Sequence, residues 1–92
     1  MEHLTWNNLR KECFSPEEIA ASDLRVAIIG EIIDARQKLG YSQKKLEELS
    51  GVKQPIIARM EKGSTSPQID TILKVLVPLG KTLYVGDIQT VD

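Results

Sequence analysis

The sequence predicts a mainly α-helical domain of about five helices that ends in a single β-strand. Three observations predict it. Apolar residues recur at helical spacing from Leu4 to Leu79. Glycines stand where helical stretches run out, at Gly40, Gly51, Gly63 and Gly80. The period then changes at Lys81-Thr82-Leu83-Tyr84-Val85, whose β-branched and aromatic residues suit a strand. The 92 residues make one small domain. Its expected parts are a helical extension over 1–22, a helical domain over 23–80, and a strand and tail over 81–92.

Taken in order, Leu4–Phe14 is weakly amphipathic and short. Ser15-Pro16-Glu17-Glu18 is a helix start: serine as N-cap, proline in the first turn, glutamate three residues on. Asp23–Leu39 is the longest helix, with two apolar stripes, Leu24, Ile28, Ile32, Ala35, Leu39 and Val26, Ile29, Ile33. One buried face accounts for one stripe, so this helix is expected to be covered on two sides, the second cover being the N-terminal extension, another subunit or a partner. Ser42 caps a helix over Gln43–Ser50 with Leu46 and Leu49 inward. Pro55 fits only the first turn of the next helix, about Lys53–Lys62. Ser66-Pro67 opens the last helix, which Pro78 limits to about Val77. The strand needs a partner strand. A two-fold copy of itself supplies one, and an edge strand laid over the helices is the alternative.

Composition excludes several classes of function. Cys13 is the single cysteine and His3 the single histidine, so neither an intrachain disulfide nor a metal cluster is expected. No cofactor is implied, since there is no glycine-rich phosphate loop. The acid pairs Glu17-Glu18 and Glu47-Glu48 are neighbours in sequence and cannot both face one site on a helix. An enzyme is therefore not expected. No apolar run approaches the roughly 18 residues of a membrane span. The opening MEHLTWNNLRKECF lacks the basic and apolar regions of a signal peptide, which points to the cytoplasm.

The net charge of −1 hides an asymmetry. Residues 1–35 carry three basic and seven acidic side chains, net −4, whereas residues 36–62 carry seven basic and three acidic ones, net +4. A basic block in a near-neutral chain suits a phosphate-binding face, and equally a solvated helix surface.

Two short helices joined by a glycine turn inside that block, residues 42–63, read as a helix-turn-helix. With Val52, Ile57 and Met60 turned inward, Lys53, Gln54, Pro55, Ala58 and Arg59 face outward. Arginine reads guanine edges, glutamine reads adenine, and an alanine methyl can touch thymine. The base-reading candidates are thus Gln54, Pro55, Ala58 and Arg59. Ile56 lies at the border, either completing the core or touching thymine methyls and sugars. Phosphate candidates are Ser42, Gln43, Lys44, Lys53, Lys62, Ser64 and Thr65.

These residues carry a resemblance. Ile32–Leu79, about half the chain, resembles the repressor-type helix-turn-helix family, the Xre or lambda-repressor-like and Cro-like class. The matching positions are Ile32, Arg36, Gly40, Ser42-Gln43, Leu46, Gly51-Val52, Gln54, Ile57, Glu61, Gly63, Ser66-Pro67, Thr71-Ile72 and Leu79. The resemblance implies a buried Arg36–Glu61 ion pair, base reading at Gln54, Pro55 and Arg59, and a phosphate contact at Gln43. Pro55 departs from the family's usual polar residue and offers only van der Waals contact.

Most of the chain, from Phe14 to Val85, is also similar to HigA-type antitoxins of bacterial type II toxin–antitoxin modules. The shared stretches include Phe14-Ser15, Lys44-Lys45-Leu46-Glu47, Ile57-Ala58-Arg59-Met60-Glu61 and Leu79-Gly80-Lys81-Thr82-Leu83. That similarity implies a homodimer that represses its own operon at a palindromic operator in double-stranded DNA. It also implies neutralisation of a small, basic, RelE-like mRNA-cleaving toxin of HigB type. The acidic residues 1–35 suit such a toxin. Expected toxin contacts are Trp6, Phe14, Val26, Ile29 and Ile33; packing of the N-terminal extension is the alternative for Trp6 and Phe14. The expected dimer strand is Leu83, Tyr84 and Val85. A stand-alone repressor without a toxin partner is the alternative function.

Overall fold

The computed structural model describes residues 13–88. Among them are four α-helices: α1 (Pro16–Lys38), α2 (Gln43–Ser50), α3 (Gln54–Lys62) and α4 (Ile69–Leu76), followed by a 3₁₀ turn over Val77–Leu79. The four helices match four of the about five expected; the remaining one, Leu4–Phe14, lies largely outside the described residues, and the expected terminal strand is not found.

Local chemistry sets the helix ends. Glu18 N–H donates to the Ser15 hydroxyl oxygen at 3.1 Å, and Ser15 N–H donates to Glu18 Oε1 at 3.0 Å. This reciprocal capping box starts α1 at Pro16, about two turns before the expected Asp23, and no breaker interrupts Ile19–Ser22. The helix runs through residues 22 and 23 without a break. Ser42 caps α2 by accepting from Lys45 N–H at 3.0 Å. Between α2 and α3 the chain reverses at Gly51, with φ +76°, a conformation that costs a side-chain-bearing residue roughly 1 kcal/mol. The last helix opens at Ile69 instead of Ser66-Pro67, because Gln68 stays extended at φ −70°, ψ 155° and serves as its N-cap.

The core is small and aliphatic. Ile32 and Ala35 of α1, Leu46 of α2, Val52 of the turn, Ile57 and Met60 of α3, Ile72, Val75 and Leu76 of α4, and Leu79 are buried together. Truncating a fully buried member such as Leu46 or Ile57 to alanine costs about 2–5 kcal/mol. Leu49, expected inward, is exposed, as are Leu24, Val26 and Leu39 of the α1 stripes. The reason is the reach of α1. Its C-terminal half packs on the bundle, whereas in Pro16–Ala27 only Ile19 and Arg25 are half-buried. Among the described residues α1 is covered on one side only, along its C-terminal half.

Residues 81–88 form no strand. No second strand among the described residues offers a ladder, and a lone strand leaves its amides and carbonyls to water. Leu83 still packs against the core and Lys81 Nζ lies 2.9 Å from Glu31 Oε2, so the tail is laid along α1 as far as Leu83. Tyr84 and Val85 beyond it are almost wholly exposed.

Candidate nucleic-acid interface

A polar chain joins three helices beneath the outer surface of α3. Arg36 Nε donates to Glu61 Oε2 at 2.7 Å and Arg36 Nη2 to Glu61 Oε1 at 2.9 Å. Arg36 Nη1 donates to the Tyr41 carbonyl at 2.9 Å. The side chains of Arg36 and Glu61 are only 15% and 9% exposed, so this fork ties α1 to the C-terminal end of α3 in a dry setting. The hydrogen bond to Glu61 outweighs the cost of burial and holds the Arg36 guanidinium above its ordinary pKa. The chain then continues outward. Gln43 Nε2 donates to Glu61 Oε1 at 3.1 Å, and Gln54 Nε2 donates to Gln43 Oε1 at 2.7 Å.

That arrangement orients two amides. Gln43 is the first residue of α2 and Gln54 the first of α3, so both stand at the mouth of the motif. Each keeps unused capacity. Gln43 Nε2 has a second hydrogen for a phosphate oxygen. Gln54 retains its second Nε2 hydrogen and its Oε1, the donor and acceptor pair that matches adenine N7 and N6. Sequence reasoning missed this linkage. Its only signal was the pair of glutamines opening consecutive short helices.

Around these amides, α3 turns Pro55, Ile56, Arg59 and Lys62 outward, with Ala58 half-buried and Lys53 exposed just before its start. Lys53, Arg59 and Lys62 have no acidic partner among the described residues. Lys44 differs: its Nζ lies 3.3 Å from Glu47 Oε1 on the same helix. The Ser42 hydroxyl oxygen is engaged in its cap, and the Ser64 hydroxyl donates to the Arg59 carbonyl at 3.2 Å. Thr65 is exposed beside it. Ile56, one reading of which placed it in the core, is 41% exposed.

The remaining predicted residues lie elsewhere. Trp6 falls outside the described residues. Phe14 and Val26 are exposed; Ile29 and Ile33 are half-buried. Ile29 follows the surface toward Gly63 and, with Leu24, Ile28, Pro67 and Ile69, lines an apolar groove of roughly 220 Å³ between α1 and α4. Leu83, Tyr84 and Val85, expected as a dimer strand, lie in a segment without strand structure, and no other strand stands among the described residues. Among the described residues no group of three or more His, Cys, Asp or Glu could hold a metal, and no helix is long and apolar enough to cross a membrane.

Comparison with known proteins bears on this surface. Residues 32–85, more than half of the chain, match the helix-turn-helix family. The chain belongs to that family. It is 61% identical over 80 residues to an uncharacterised HTH-type transcriptional regulator of Haemophilus influenzae, spanning 87% of this chain and 82% of that one. It is also 61% identical to a chain of a solved toxin–antitoxin module from Streptococcus pneumoniae, with a TM-score of 0.78, covering 95% of this chain and 97% of that chain. The matched span takes in the end of α1 and all of α2, α3 and α4.

Proposed function

We propose that this helix-turn-helix protein is an antitoxin of HigA type: a sequence-specific repressor of its own operon that also binds and silences a small RelE-like toxin in the cytoplasm. The observation that carries the DNA half is the outer face of α3, where Lys53, Arg59 and Lys62 stand without acidic partners among the described residues, beside the oriented amide of Gln54. In this reading Gln54, Pro55, Ala58 and Arg59 face base edges. Gln43, Lys53 and Lys62 hold phosphates, helped by Ser42, Lys44, Ser64 and Thr65. Arg36 and Glu61 are structural, fixing α3 and the Gln43 amide. The protein acts as a homodimer on a palindrome whose half-site centres lie about 34 Å apart.

The toxin half is supported by the likeness to the pneumococcal toxin–antitoxin module and by the exposed apolar side chains in and just before the first half of α1. There, exposed Phe14, Leu24 and Val26 stand among Glu17, Glu18 and Asp23, an acidic and apolar surface suited to a small basic protein. The stand-alone repressor is the second reading, favoured by the Haemophilus relative, which is described only as a transcriptional regulator.

The test is purification of the tagged full chain from its host, with mass spectrometry of what remains bound. The antitoxin reading predicts a stoichiometric small basic protein that arrests growth when expressed alone and is silenced when this chain is co-expressed. No such protein, with DNA binding intact, moves the assignment to the stand-alone repressor.

A further inference from the structure

The first turn of α3 carries an apolar pair on its outside. Pro55 and Ile56 are both exposed, and neither is needed by the core, which Val52, Ile57 and Met60 fill from the same segment. Ile56 sits three residues before Arg59, so the two are surface neighbours on one helix. A recognition helix meets base edges with its N-terminal residues, and that is where this pair stands. An isoleucine can neither donate nor accept a hydrogen bond. Of the groups a base pair shows in the major groove, only the thymine 5-methyl is apolar.

We propose that Ile56, seated beside Pro55, is a specificity-determining residue that reads thymine 5-methyl groups next to the base contacted by Arg59. The proposal rests on the DNA-binding reading above and deepens it. It gives the apolar first turn a defined chemical partner. Polar contacts from Gln54 and Arg59 then flank an apolar step, and the half-site contains thymine there.

The full chain is used to select its preferred sites from randomised duplexes. Each thymine of the selected site is then replaced in turn by deoxyuridine, which removes only the methyl, and affinity is read by fluorescence anisotropy. One or two thymines per half-site are expected to lose about fourfold in affinity on replacement, the worth of one apolar carbon taken from water. Ile56→Ala should abolish that difference at the same positions. Ile56→Val, which keeps β-branching, should retain part of it. Affinity indifferent to every thymine methyl, measured with the unaltered protein, overturns the proposal. So does a methyl effect that persists undiminished in Ile56→Ala. No enriched sequence at all overturns the proposal together with the DNA-binding reading, and is thereby distinct from the first two results.

Discussion

Removing the Glu61 carboxylate tests how α3 is held. Its two oxygens receive three hydrogen bonds, from Arg36 Nε, Arg36 Nη2 and Gln43 Nε2. In Glu61→Ala the Arg36 guanidinium, 15% exposed, keeps only the Tyr41 carbonyl. Breaking a buried pair from one side costs about 3–5 kcal/mol. Because the guanidinium retains some water and one carbonyl, the lower end applies, about 3 kcal/mol. In a domain of this size that lowers Tm by about 12–24 °C. The loss is a large part of the ~5–14 kcal/mol that holds a 92-residue domain together. The assay is thermal and urea unfolding followed by circular dichroism, with Arg36→Met and Arg36→Met/Glu61→Leu alongside. The double variant buries no lone charge and is expected to be more stable than either single variant. The raised pKa of Arg36 means the pair's contribution is complete below the guanidinium's unfolded value and is lost only as pH rises through the higher folded one, so stability should not fall between pH 6 and 10 on this account. A Glu61→Ala cost under about 1 kcal/mol, or additive costs in the double variant, would refute the reasoning.

Three further outcomes follow from the geometry. Lys62→Ala should weaken binding to all DNA and reduce the slope of log affinity against log salt by about one unit; an unchanged slope removes Lys62 from the phosphate contacts. Gln43→Ala and Gln54→Ala should be non-additive in DNA affinity, coupled by about 0.5–1.5 kcal/mol, because the first amide orients the second; additive losses contradict that linkage. The Ser15 backbone bond holds the Glu18 carboxyl below its ordinary pKa of 4.5, so its support of the α1 N-terminus is present above that value and lost as pH falls through the lower folded one. Amide shifts of Ser15 and Glu18 should report this loss in acid, and Glu18→Gln should show no such step.

What could be read from the sequence was what local chemistry decides. The Ser15 and Ser42 caps, the αL turns at Gly51 and Gly63, and the inward set Val52, Ile57 and Met60 all follow from neighbours within a turn or two. Arg36 and Glu61, 25 residues apart, were brought together only by resemblance to the repressor class, since no short-range pattern links them. What failed depended on distant partners. Lys81–Val85 has strand propensity, but propensity without a ladder gives an extended tail, tethered by Lys81 to Glu31. Periodicity also reports which residues of α1 are apolar and not which half of a 23-residue helix reaches the bundle, which among the described residues is the C-terminal half. The Gln43–Gln54 bond needed the actual crossing of α2 and α3.

In the proposed function the outer face of α3 reads DNA sequence through Arg59. The direct measurement is the affinity of the full chain and of Arg59→Ala for the duplex it selects and for a random duplex, at one salt concentration. Arg59→Ala should lose about 1–3 kcal/mol, roughly 5- to 150-fold, on the selected site, with little change on random DNA. Equal losses on both would contradict base reading and reduce Arg59 to a phosphate contact.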